Sequence, residues 1–456
     1  MMNVKTKFKT KVWSNYGDSY RQLVKLGLPV LVTQLGIIVV SFADTMMVGS
    51  YGTPELAAAA FVNSLFLIPI VMQIGFAQGL TPLVGALFSR GESRHAGRTM
   101  RGALQMNIAV SAFFTLLMGG MYFFLDRFGQ PVELLPLIRS YYLIVLFSLL
   151  PLSLFNVLQQ TCNGITDTAT PMWFILGQNA LNILGNWLLI FGAGGFPELG
   201  LTGAGLSTLF ARVVSVVAFI LVFLRAKRYR PYLEGSRDGS RLGELRRKVW
   251  ITSYPVMAQS GIECAMWSLG ATVCGWFGAI QLAGYQIVTT LSQLGFMTYI
   301  SFGTAVSVLV ANHTGIGDML GVRKTTSAGL HLNLILAVIA SAIFYFGGHG
   351  LLRAFTPDEE VIASGMTLLL PLVLYQFFDA IQLTYCNAIR GTSRVKPLLW
   401  ISITCYIVLG VPVLLLFAKV LDLGNLGVYY SFDAALFAAS IMASLIFYRT
   451  LRSLRS

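Results

Sequence analysis

Twelve long stretches of mostly apolar residues recur along the chain, at 23–46, 55–88, 99–124, 136–163, 171–192, 201–224, 249–275, 281–312, 327–347, 361–388, 397–418 and 426–448. About 20 apolar residues are what a helix needs to cross the hydrocarbon core of a bilayer. Inside lipid every backbone N–H and C=O must pair within its own segment, so helices are the form such stretches take. The expected fold is an all-α membrane protein with twelve transmembrane helices. Composition agrees, since only 11% of the 456 residues are charged, against about 25% in a soluble domain. Such a chain cannot cover itself with polar surface. The first stretch does not read as a cleaved signal peptide, because it is long, no small-residue cleavage site follows it and eleven more spans do.

Lys and Arg set the expected orientation. An even number of spans puts both termini on one side, and 27 of the 32 Lys and Arg residues fall on that side. They include Lys5, Lys7, Lys9 and Lys11, then Arg90 to Arg101, the run from Arg225 to Lys248, and Arg390, Arg394, Arg449 and Arg455. Arg127, Arg139, Arg353 and Lys419 fall on the other side, and Arg212 inside a span. Both termini are expected in the cytoplasm, with the protein integral to the cell's inner (cytoplasmic) membrane. The net charge of +13 is spread over separate loops. It reads as topology rather than as a nucleic-acid footprint. The five cysteines all fall within spans, without metal-ligand spacing.

The segment 225–248 is the longest polar stretch and divides the spans six and six. The halves resemble each other at a nearly constant offset: Pro29 and Pro255, Gly49 and Gly275, Gly52 and Gly278, Gly91 and Gly317, and later Cys162-Asn163 and Cys386-Asn387. Two pseudo-symmetric six-helix lobes follow, inserted the same way up. The expected organisation is a cytoplasmic N-terminal segment (1–22), a first lobe (23–224), a basic linker (225–248), a second lobe (249–448) and a cytoplasmic tail (449–456).

Few acids fall well inside the spans. They are Asp44, Glu263 and Asp379, while Asp433 lies nearer an end and reads as a solvated end residue. A charge at the bilayer centre costs roughly 3 kcal/mol on insertion scales, so each acid needs a proton, a wet cavity or a cation. Arg212 alone cannot neutralise three carboxylates, and a transported cation would supply the missing partners. The acids break the repeat, since Ile37, Gly270 and Phe155 stand opposite Glu263, Asp44 and Asp379. The repeat would then set architecture and the acids function. Tyr375 and Asp379, Glu263 and Trp267, and Asn182 and Asn186 are each four apart and share a helix face. Carboxylates and a phenol offer hard oxygen ligands, and Trp267 a π face for a cation. The asparagines serve equally well as helix-to-helix hydrogen bonds, and Trp267 as a packing or interfacial residue.

Four segments carry a family resemblance: "LPVLVTQLGIIVVSFADTMMVGSYG", "YPVMAQSGIEC", "LYQFFDAIQ" with "CNAIRGT", and "NILGNWLLIFG" with "PELG". In order and spacing they resemble the multidrug and toxic compound extrusion (MATE) family, in particular its NorM-like branch, over about residues 20–450. The resemblance implies a monomeric secondary active exporter. Cationic, often aromatic, drugs and dyes would leave the cytoplasm in antiport with Na+ or H+, with no other cofactor. It implies a coupling-cation site of Glu263, Tyr375 and Asp379. A substrate pocket would include Trp267, Gln286 and Phe296, and a first-lobe site would use Asp44, Asn182, Asn186 and Thr202. Some relatives carry Asp where this chain has Asn186. A lipid-linked oligosaccharide flippase of the same superfamily is the alternative. Its pyrophosphate substrate would want a cavity rich in Arg or Lys, and only Arg212 lies well inside a span. An intramembrane enzyme is not expected, because H-E-x-x-H, G-x-S-x-G and a phosphate-binding P-loop are all absent.

Overall fold

The computed structural model describes residues 3–238 and 242–455, with side chains described for 16–238 and 242–454. The side chains of Lys5, Lys7, Lys9, Lys11, Arg241 and Arg455, used above for orientation, lie outside the described residues. Among the described residues the chain is helical, without strands. The first half holds α1 (Asn3–Tyr51), α2 (Thr53–Gln78), α3 (Leu80–Ser89), α4 (Ser93–Tyr122), α5 (Leu135–Phe147), α6 (Leu149–Gly164), α7 (Ala169–Ile190) and α8 (Gly200–Arg225). A short α9 (Arg230–Arg237) precedes α10 (Gly243–Gly275), α11 (Ala279–Gly315), α12 (Met319–Phe355), α13 (Glu359–Thr367) and α14 (Leu369–Gly391). Then come α15 (Lys396–Ser402), α16 (Val411–Leu415) and α17 (Gly424–Arg455).

Each expected span falls on a helix or on two consecutive helices, except 397–418, which runs through α15, α16 and the π-helical stretches 403–410 and 416–420. Three spans are interrupted, at Gly79, Ser148 and Leu368. In each case a proline follows three residues later: Pro82, Pro151 and Pro371. Proline has no N–H for the carbonyl four residues before it. That carbonyl belongs to Gln78, Phe147 or Thr367, the last residue of the helix that stops. Among the described residues, ten helical spans are long and apolar enough to cross a membrane. The remaining two, α7 and α10, are helical but do not reach the same combination of length and apolarity. They are the helices that carry Asn182 and Asn186, and Glu263.

By packing, the chain forms two compact units, 32–257 and 1–31 with 258–456. The chain leaves one for the other inside α1 and inside α10, two residues beyond Pro29 and Pro255. In the 32–257 unit, Phe66, Phe76, Tyr142 and Leu149 centre one apolar core, and Leu80, Val84, Phe219 and Tyr229 another. The other unit is built around Tyr285, Leu372, Tyr429, Phe432 and Leu436. The repeat extends to the backbone: Gly91 and Gly317 turn corresponding corners in the left-handed region, at φ 76° and 77°, where a side chain is unfavourable. Large apolar side chains also face outward, with Leu116 77%, Phe346 85% and Val420 71% exposed. In lipid such a surface is the solvated one.

The polar segment after α8 is more than a linker. Pro231 opens α9, and α9 lies on α4 so closely that a Cβ at Gly97 would meet the Tyr232 carbonyl oxygen. Arg94 pairs with Glu234 (3.2 Å) and Arg98 with Asp238 (3.1 Å). Arg228 pairs with Asp167, and the Tyr229 hydroxyl donates to the same carboxylate (2.6 Å).

Candidate functional site

A small cavity inside the 258–456 part of the chain collects most of the expected second-lobe residues. Glu263, Met266 and Trp267 reach it from α10 and Phe296 from α11. Tyr375, Asp379 and Gln382 come from α14, Tyr406 from the stretch after α15, and Phe432 and Leu436 from α17. The helical spacing explains the α10 and α14 sets. Glu263 and Trp267, and Tyr375, Asp379 and Gln382, each lie along one face at i, i+4 and i, i+4, i+7. Trp267 packs edge-on against Tyr375 at 5.4 Å and against Phe432 at 4.6 Å. The residues 403–410 form wide π-helical turns, a rare form often found at functional sites, and this widened stretch delivers Tyr406.

The two carboxylates of the cavity are held differently. Glu263 Oε1 accepts from Gln259 Nε2 (3.0 Å) and Gln382 Nε2 (3.2 Å). Arg390, lower on α14, is near enough to act on Glu263 electrostatically. Asp379 is 2% exposed, and its Oδ2 has no hydrogen-bond partner. A buried carboxylate oxygen without a donor loses its hydration and gains nothing in return. The cavity therefore presents one satisfied and one open carboxylate, with a phenol and an amide beside them. Those are oxygen donors suited to a small hard cation, and the aromatic walls exclude water. Among the described residues no three His, Cys, Asp or Glu side chains come together.

The first-lobe residues form a separate polar group within the 32–257 unit. Asn186 Nδ2 on α7 donates to Asp44 Oδ1 on α1 (2.5 Å). Arg212 on α8 acts electrostatically on Asp44, and its Nη1 donates to Ser148 Oγ (2.6 Å). Asn182 Nδ2 donates to Thr208 Oγ1 on α8 (2.9 Å), six residues beyond Thr202. Asn182 Oδ1 and Asn186 Oδ1 have no hydrogen-bond partner.

Several expectations change. Gln286 is exposed on α11 and is not among the cavity residues. Arg390, expected at the basic end of the protein, is 7% exposed within α14. Arg212 is thus not the only base inside a span. Asp433, expected to be a solvated end residue, is 5% exposed. Its helix packs along its length on α14, so distance from the helix end does not measure exposure. Gln382 was legible as a polar residue on the Tyr375–Asp379 face. Tyr406 and Phe432 carried no signal in sequence, because only folding brings α17 and the π-helical stretch to the cavity. The five cysteines are free thiols.

The chain matches the MatE family over residues 29–188 and 255–416. It is 28% identical over 436 residues to a probable multidrug resistance protein NorM of Xanthomonas campestris pv. campestris, covering 94% of each chain. It is 26% identical over 411 residues to a multidrug resistance protein NorM of Photobacterium profundum, covering 88% of each. Among solved structures it resembles a MOP superfamily transporter of Pyrococcus furiosus, at a TM-score of 0.88 with 17% identity and 98% of each chain covered. A eukaryotic MATE transporter superposes similarly, at a TM-score of 0.87 with 17% identity, covering 96% of this chain and 99% of that one.

Proposed function

The chain belongs to the MatE family, and from that premise we propose that it is a secondary active multidrug exporter. In this reading cationic, often aromatic, compounds leave the cytoplasm against inward Na+ or H+. Asp379 carries the proposal: a buried carboxylate with one oxygen unpartnered, in an aromatic-walled cavity that also holds Glu263. Such a group calls for a mobile positive charge. Na+ suits the donor set better than H+, because two carboxylates, a phenol and the Gln382 amide offer several oxygens at once. The ion is cargo, bound and released in each cycle.

Coupling then follows from differential affinity. A ligand shifts a two-state equilibrium only by as much as its affinity differs between the states. Cation binding at Glu263, Tyr375 and Asp379 stabilises one state and drug binding the other, so each weakens the other. Asp44, Asn182, Asn186 and Thr202 would form a second polar contact region for substrate or cation. The protein works as a monomer in the inner membrane, with the basic loops and both termini in the cytoplasm. Expression in a drug-sensitive bacterium is expected to lower ethidium accumulation and raise tolerance to cationic dyes. Unchanged accumulation in cells that contain the protein would refute this substrate class.

A further inference from the structure

One ionisable group in the 258–456 part of the chain has no role in the cavity described above. Asp433 on α17 is 5% exposed, and neither Oδ1 nor Oδ2 has a hydrogen-bond partner. It follows Phe432 and precedes Leu436 by three residues, and both of those line the cavity. Cys274 from α10, Tyr285 from α11, Tyr375 from α14 and Tyr406 from the π-helical stretch belong to the same buried cluster as Phe432 and Leu436, and Asp379 and Cys405 are buried on those last two elements. None of them bonds to Asp433, and no Lys or Arg among the described residues forms an ion pair with it. Asp379 has at least a cavity in front of it; Asp433 has neither a donor nor a cation.

On the other side Asp433 adjoins a short run of hydroxyls. Tyr429 lies one turn earlier on α17, and its hydroxyl is 3.2 Å from Thr289 Oγ1 on α11. The Tyr285 hydroxyl, one turn before Thr289, has no hydrogen-bond partner. The Tyr285 and Tyr429 rings meet edge-on at 5.6 Å. These residues occupy the first turns of α11 and α17, which begin at Ala279 and Gly424. At ~1.5 Å rise per residue, Asp433 lies about 14 Å below the start of α17.

We propose that Asp433 is a proton-binding site separate from Glu263 and Asp379, and that its proton exchanges with solvent through Tyr429 and Thr289. An ionised carboxylate in this position would forfeit its hydration with no hydrogen bond or counter-charge to replace it. A bound proton removes the charge, and Tyr429, which begins the hydroxyl run, lies one turn earlier on the same helix. Proton transfer along the run breaks one O–H bond for each one formed, so it needs no co-reactant. The inference bears on how the proposed exporter couples to protons but does not rest on export, because its test contains no transport step.

The test is infrared spectroscopy of the purified full-length protein in lipid at neutral pH. A protonated carboxylic acid gives a carbonyl stretch distinct from the bands of a carboxylate. Such a band is expected in wild type and in an Asp44→Asn/Glu263→Gln/Asp379→Asn variant, and its loss is expected when Asp433→Asn is added to that variant. Should Asp433→Asn fail to fold, protein carrying ¹³C-labelled aspartate in the Asp44→Asn/Asp379→Asn background gives the same answer through an isotope shift of the band. Transfer to D2O is expected to shift the band, and Thr289→Val to slow that shift. A folded protein with no Asp433-dependent band would overturn the assignment, whether or not the protein exports dyes. An unchanged exchange rate in Thr289→Val would overturn the route.

Discussion

Glu263 and Asp379 face one cavity, yet only Glu263 is met by amide donors, from Gln259 and Gln382. Glu263→Gln keeps an oxygen acceptor for both amides, so folding is expected to persist while the charge is lost. If the carboxylates bind the coupling ion together, Glu263→Gln and Asp379→Asn each weaken Na+ binding by tenfold or more, about 1.4 kcal/mol. The double variant is then little worse than either single one, because residues that act as a unit are non-additive. Asp44→Asn should change Na+ binding less, since Asp44 is hydrogen-bonded to Asn186 in the other unit. Tryptophan fluorescence can follow the titration, because Trp267 touches Tyr375 in the cavity wall; Trp267→Phe identifies its share of the signal. Equal Na+ affinity in wild type and Glu263→Gln would contradict the shared site. At this scale the sequence showed the rare acids and their i, i+4 companions, because a charge in an apolar span stands out. It did not show which acids are satisfied. Glu263 and Asp379 look alike in sequence and Asp433 reads as a solvated end residue, and only packing separates a capped carboxylate from an open one and from a sealed one.

The helices follow from hydrophobic length. That signal located all twelve expected spans, including α7 and α10, whose polar residues dilute it. It missed three kinds of feature. Breaks at Gly79, Ser148 and Leu368 depend on a single proline's missing N–H. The π-helical stretches at 403–410 and 416–420 alter hydrogen bonding without altering composition. The docking of α9 on α4 depends on glycine at Gly97 and on pairs formed only after folding. One prediction belongs here. Asp318 precedes α12, and its Oδ1 accepts from the Gly321 N–H (2.9 Å). That bond, aided by His313, holds its carboxyl below the usual aspartate range. A depressed folded-state pKa stabilises the fold above the ordinary carboxylate range, and the contribution fades as pH falls through the folded value. Asp318→Ala is expected to cost about 1 kcal/mol, as for loss of a helix N-cap. The difference in melting temperature from wild type should be full at neutral pH and shrink in acid. A difference that stays constant in acid would show that the carboxylate's charge plays no part.

Over the whole molecule, the repeat was readable because it leaves the same residues at the same corners, such as Gly91 and Gly317. The passage of the chain between its two packing units inside α1 and α10 was not readable, because both helices continue unbroken through it. Membership of the MatE family places the chain among transporters, and the open carboxylate in an aromatic cavity points to a cation as the driving species. Coupling is the central claim, and dye efflux from proteoliposomes under separate gradients measures it most directly. With an inward Na+ gradient and no pH difference, ethidium efflux is expected from vesicles holding wild-type protein. The same gradient should give at least tenfold less efflux with Glu263→Gln, about 1.4 kcal/mol of lost coupling interaction. Efflux that ignores both the Na+ gradient and an imposed pH gradient, from vesicles that demonstrably contain folded protein, would contradict the account.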